Sequence, residues 1–214
     1  MTLIDRGIAV ADSNPARATV TVLLLSLFAA VWFSNVSGSL IEKDAAENLQ
    51  LAINLEHHHL YSMDAHAPLY PSNTREPVPV LTMALAVALV DAAMGPADSS
   101  AYFQGKRAHD IKLQSVAWMA ALCGILFFSA WSLTGSYYGS LLCVVLINKI
   151  PHVTSGLVYG DFMIDSLYTE IPAAALLLLS STLLVLGLKR RKTALMGLAG
   201  VCFGALALTK AAFL

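Results

Sequence analysis

The sequence predicts an all-α, polytopic membrane helix bundle of about five spans, interrupted by one long polar loop after the first span. Three observations carry this. Hydrophobic residues make up 57% of the 214 and charged residues only 13%, about half the charged share of a soluble domain. The uncharged stretches are long enough to cross a hydrocarbon core of about 30 Å at about 1.5 Å per residue. The charged residues gather between those stretches rather than within them. A net charge of −1 leaves no basic surface for nucleic acid. Cys123, Cys143 and Cys202 lie in apolar runs with no CxxC pair, so no disulfide framework is indicated. The first twenty residues are too polar for a signal-peptide start, and the apolar run after them should stay as an anchor.

Residues 18–41, "ATVTVLLLSLFAAVWFSNVSGSLI", carry no charge and form the first span. The loop follows over 42–112, within a single membrane domain 1–214, and holds five of the six histidines. A helix is expected near 44–58, with Ala45, Leu49, Ala52 and Leu55 on one face. Asp44 could cap it, with Glu47 as capping-box partner. The same position at the exit of the first span also suits a general base. Residues 79–96 are barely long enough to cross and contain Asp91. If they cross, "KRRK" at 189–192 falls on the side of the loop; if they lie along the surface, it falls on the side of the N-terminus. The positive-inside rule prefers the second arrangement, but Lys106, Arg107 and Lys112 then lie outside, so charge alone leaves both open. Residues 113–148 are uncharged and too long for one span. "LTGSYYG" turns them into a hairpin, whose second arm continues past Lys149 and Pro151 to about Tyr159. Another span is 171–188, closed by "KRRK". The last is "TALMGLAGVCFGALALTKAAFL".

Chemistry-bearing residues cluster at the ends of these spans. In "TREPVP", Arg75 offers a planar fork of donors for carboxylate or phosphate, or simply a solvated turn before the prolines. "EHHHLYSMDAH" contains metal-ligand types, but neighbouring residues on a helix point about 100° apart. A wet helix end suits it better. In "DFMIDSLYTEIP", Asp161, Asp165 and Glu170 sit at a membrane boundary, where ionisable groups are functional candidates and where acids also favour a helix N-terminus. Lys149 and His152 flank Pro151 and could meet a phosphate, or Lys149 could snorkel. No cofactor is demanded by these residues; a divalent metal is the one left open.

The order of pieces resembles a known family. One span is followed by "DAAENLQLAINL", then "LYS" and "REPVP", later "LYTEIPAAALLLL", a basic turn, and "GLAGVCFGALALTK". This is similar to the N-terminal part of the polytopic GT-C glycosyltransferases, among them the dolichyl-phosphate-mannose protein mannosyltransferases and the aminoarabinose lipid A transferases. The resemblance implies a polyprenyl-phosphate-linked sugar donor, a lipid, glycan or protein acceptor, and work at the extracytoplasmic face of a bacterial inner membrane. It implies that 42–112 is the extracytoplasmic loop, that 79–96 lies on the membrane surface, and that "KRRK" is inside. Asp44 takes the place of the family's essential acid, and Glu170 that of the acid before the fourth span, with Asp165 close by. Lys210 stands where an arginine is usual. Members of the group are much longer chains, so the 214 residues correspond to an N-terminal half, a split gene product or a truncated relative.

On this reading Asp44 and Glu170 are the catalytic candidates. Arg75, Glu76, Lys149, His152, Asp165 and Lys210 are the substrate-binding ones. A non-catalytic subunit that completes a bundle with a partner chain is the first alternative. A small transporter is the second, against which stand the absence of an inverted repeat and the boundary position of most acids.

Overall fold

The structure, a computed structural model, describes residues 15–72, 75–148, 164–167 and 169–210. The expectations for Asp161, Lys149 and His152 lie outside the described residues. The described chain is helical, with seven α-helices, one 3-10 turn and no strand. Three helices, Pro77–Met94, Lys106–Thr134 and Glu170–Arg190, are long and apolar enough to cross a membrane. These features make it a helical membrane protein.

Helix α1 spans Pro15–Asn35 and so ends six residues short of the expected span at 41. The reason is lateral pairing. Gly105 donates its N–H to the Gly38 carbonyl at 2.9 Å, and Ser37 donates its N–H to Asp165 at 2.6 Å. A Cβ on Gly38 would lie 2.8 Å from the Gly105 oxygen, so only glycine permits this approach.

Helix α2 (Lys43–His58) has Glu42, not Asp44, at its N-cap position, and no side chain caps it. Asp44 sits in the first turn, where its charge favours the N-terminal dipole. Glu47 bonds Arg75 rather than closing a capping box. The helix stops where His59 turns left-handed at φ 55° and returns its N–H to Leu55. Helix α3 (Pro77–Met94) opens on proline and closes on Gly95 at φ 77°. Its inner face, Val80, Met83, Val87 and Val90, is buried, while Leu81, Leu85 and Leu89 are exposed.

Helix α4 (Lys106–Thr134) is the long axis of the molecule, about 43 Å at 1.5 Å per residue. Gly135, at φ 72°, ends it. Ser136 starts helix α5 (Tyr137–Ile147) by accepting the Gly139 N–H at 3.0 Å. Helices α6 (Glu170–Arg190) and α7 (Thr193–Ala207) form a tight hairpin through "KRRK". Gly187 allows it, because a Cβ there would meet Met196 Cγ at 2.8 Å.

The bundle has two distinct ends. At one, Tyr137 donates its hydroxyl to the Arg17 carbonyl at 2.9 Å, and the Arg17 guanidinium lies 5.4 Å from the Tyr137 ring centre. The α6–α7 turn lies at this end too, since Thr182, late in α6, donates to Ser129, late in α4, at 2.7 Å. At the other end, residues 37–39 meet Gly105 and Asp165, and Lys210 meets Glu170. Both ends of α3 are tied to this second end. Val78 donates to the Leu208 carbonyl at 3.2 Å, and Arg107 donates to the Gly95 carbonyl at 2.6 Å. Two cores result. One joins α2, α3 and the first turns of α4 around Leu49, Val87, Tyr102 and Ile111. The other joins α1, α4, α5 and α6 around Trp32, Met119, Val144 and Ile171.

Candidate functional site

The loop that leaves α1, the start of α2, the turn at 164–167 and the meeting ends of α6 and α7 enclose a cavity of about 710 Å³. Its polar lining includes Ser39, Asp44, Asn48, Asp165, Glu170 and Lys210. Four of the residues singled out from sequence, Asp44, Asp165, Glu170 and Lys210, therefore share one space although three separate segments supply them.

Each of these acids has a cation. Asp44 Oδ1 accepts from Arg75 at 2.8 Å, and its side chain is 81% exposed, so the carboxylate is held at one oxygen and open at the cavity. Arg75 also directs its Nε to Glu47 at 2.7 Å. Burial alone would lower the Arg75 pKa; the Glu47 and Asp44 carboxylates outweigh it and hold the guanidinium above its ordinary value. Tyr61 donates its hydroxyl to the Arg75 carbonyl at 2.9 Å, which fixes the segment that brings Arg75 here. Glu170 is ion-paired with Lys210. Arg75 thus stands behind Asp44 rather than in the cavity lining, and Glu76 occupies the N-cap position of α3.

Asp165 is the most heavily bonded of the set. Its Oδ1 accepts the Ser37 N–H, and its Oδ2 accepts the hydroxyls of Ser37 and Ser39, both at 2.9 Å. The Lys112 ammonium lies 3.2 Å from Oδ1, with the Lys112 side chain only 1% exposed. Burial alone would raise this carboxyl. The Ser37 and Ser39 hydrogen bonds and the Lys112 charge prevail and hold it below the usual carboxylate range. Asp165 is a structural tie between α1, α4 and the turn before α6.

Several polar residues were not singled out from sequence. Asn48 lines the cavity one turn after Asp44, and Lys112 braces Asp165 from below. A second polar centre lies apart from the cavity. Asp91 accepts from Tyr102 at 2.5 Å and from Arg107 at 2.9 Å, and meets His57 Nε2 at 2.7 Å. This cluster joins α2, α3 and α4, and it explains how an aspartate is tolerated inside the apolar stretch 79–96. No local pattern links His57 to Asp91, which stand 34 residues apart. Among the described residues no group of three or more His, Cys, Asp or Glu side chains is placed to hold a metal ion. Of the acids lining the cavity, Asp44, Asp165 and Glu170 are each joined to lysine or arginine. No protein-family model, no curated protein and no solved structure matches the chain.

Proposed function

We propose that the chain is the N-terminal half of a membrane glycosyltransferase of the GT-C type, which moves a sugar from a polyprenyl-phosphate donor to an acceptor at the extracytoplasmic face. The observation that carries this is the convergence of Asp44, Asp165, Glu170 and Lys210 on one cavity of about 710 Å³ at one end of an apolar bundle. That is where a lipid-borne substrate can present its head group. In this reading α4 and α6, which are long enough by themselves, cross the membrane together with the segments that contain the shorter apolar stretches of α1, α5 and α7. Helix α3, although long and apolar enough to cross, is read as lying on the outer surface, because both its ends bond to the same end of the bundle. Its exposed Leu81, Leu85 and Leu89 then rest in the lipid interface. Arg17 and the 189–192 cluster lie at the opposite end, as the positive-inside rule requires of the cytoplasmic side.

The chemistry is a single displacement with inversion. The acceptor hydroxyl oxygen bonds to the anomeric carbon. The bond from that carbon to the phosphate oxygen breaks, and its electron pair leaves with the lipid phosphate. The hydroxyl proton passes to the open oxygen of Asp44, whose other oxygen Arg75 holds in place. Lys210, beside Glu170, supplies positive charge for the departing phosphate.

The test is transfer from a polyprenyl-phosphate-linked sugar in native membranes lacking the chain and resupplied with variants. Asp44→Asn is expected to lose about 10²–10⁴-fold in rate while inserting normally. Undiminished transfer would leave Asp44 a helix-terminal charge. A second reading is a non-catalytic subunit whose bundle a partner chain completes. It is favoured by α7, where an added Cβ on Gly197, Gly200 or Gly204 would meet nothing within 4 Å. In that case Asp44→Asn transfers normally, and Gly200→Leu releases the partner.

A further inference from the structure

We infer that Asn48 reads a hydroxyl group of the molecule bound in the cavity, an inference that rests on the glycosyl-transfer reading above. Asn48 follows Asp44 by one turn of α2, so both side chains project from the same stripe of the helix. It lines the cavity, yet it is only 2% exposed. Its Oδ1 is buried with no hydrogen-bond partner among the described residues.

The contrast with Asn54, on the same helix, is informative. Asn54 is also buried, but its Nδ2 donates to the Ser62 carbonyl at 2.7 Å and to the Asp64 carbonyl at 2.9 Å. That is an amide used to build the loop. Asn48 Oδ1 bonds nothing among the described residues. Buried polar atoms are nearly always satisfied, and an unsatisfied one is costly. Asn48 lines the cavity, so a molecule bound there can supply the missing partner.

The chemistry of the lining narrows the ligand. A carboxamide turned half a revolution exchanges its donor for its acceptor. A hydroxyl both donates and accepts, so it satisfies Asn48 in either setting. The carboxylates of Asp44 and Glu170, which share the lining, accept only. A ring dense in hydroxyls meets all three groups, whereas an ionised alkyl phosphate only accepts and has no proton to give to Asn48 Oδ1 or to the two carboxylates.

The experiment uses the full chain in lipid nanodiscs cut directly from native membranes, so that any partner chain stays with it. The probes are geranyl-phosphate glucoside, mannoside and arabinoside, their monodeoxy analogues, and geranyl phosphate alone. At least one glycoside is expected to bind the unmodified protein. Asn48→Leu should weaken that glycoside about ten- to hundredfold, the loss of one hydrogen bond to a buried group. One monodeoxy analogue should bind the unmodified protein that much more weakly and be indifferent to Asn48→Leu, as should geranyl phosphate. The deoxy series needs no variant to fold, and Asn48→Asp, which keeps shape and acceptor oxygen, checks that any loss is not a collapse of α2. If every deoxy analogue stays within about twofold of its parent, or folded Asn48→Leu does, the role of Asn48 is overturned and the transfer reading stands. If no glycoside binds the unmodified protein, the transfer reading falls and Asn48 falls with it.

Discussion

Replacing Asp165 by alanine is expected to destabilise the folded protein by about 3–5 kcal/mol, the usual consequence of stripping one partner from a buried ion pair. The geometry gives the reason. Lys112 is 1% exposed, and without Asp165 its ammonium keeps, among the described residues, the Ser39 carbonyl at 3.1 Å and the Ser39 hydroxyl at 2.7 Å. Ser37 loses the acceptor of both its N–H and its hydroxyl at the same time. The Asp165 side chain is 20% exposed, so some water can enter and the lower part of the range is expected. The assay is reversible unfolding by sodium dodecyl sulfate in mixed micelles. Lys112→Met should also destabilise, while the double variant should be much closer to wild type than the sum, because an apolar replacement of both partners removes the orphaned charge. The carboxyl is held below its ordinary value, so its stabilisation is fully present above about pH 4. It is lost as pH falls through the depressed folded-state value. Asp165→Asn should remove that acid-limb dependence. An Asp165→Ala protein within about 0.5 kcal/mol of wild type would refute the reasoning, since it would mean that Lys112 is hydrated in place.

Two further outcomes follow from the same geometry. In a background without Cys123, Cys143 and Cys202, a membrane-impermeant maleimide should label Lys106→Cys from outside and reach Arg190→Cys only after permeabilisation. Labelling of position 190 alone would overturn this topology and make α3 a true span. Gly38→Ala should cost about 1–3 kcal/mol, because its Cβ would sit 2.8 Å from the Gly105 backbone oxygen with no flexible atom to yield. A melting temperature equal to wild type would show that the two strands of chain part easily there.

Helix content and the position of the turns were legible from residue order alone. Uncharged runs, the glycine at 135, the prolines at 77 and 79 and the "KRRK" cluster are local signals, and each acts within a few residues of where it stands. The boundary acids were legible for a similar reason: a carboxylate beside an apolar run stands out against its surroundings. The capping-box reading of Asp44 and Glu47 failed because it is also a local rule, and a distant residue, Arg75, outcompetes the backbone for both carboxylates. The first span was drawn too long because nothing near residues 36–41 signals that Gly38 will press against Gly105.

The assignments that matter most for chemistry came from contacts between segments far apart in the chain. Asp44, Asp165 and Lys210 meet because the first loop folds back on the α6–α7 hairpin. No periodicity encodes which acid takes which cation. Lys112 chooses Asp165, Lys210 chooses Glu170, and Arg107 chooses Asp91. Asn48 reads in the sequence as one polar residue on an amphipathic helix; only packing turns it into a buried amide with an unmet oxygen. The physical cause is range. Backbone preference and hydrophobic pattern act over a turn or two, whereas desolvation and ion pairing depend on what the rest of the chain brings to the same few ångströms.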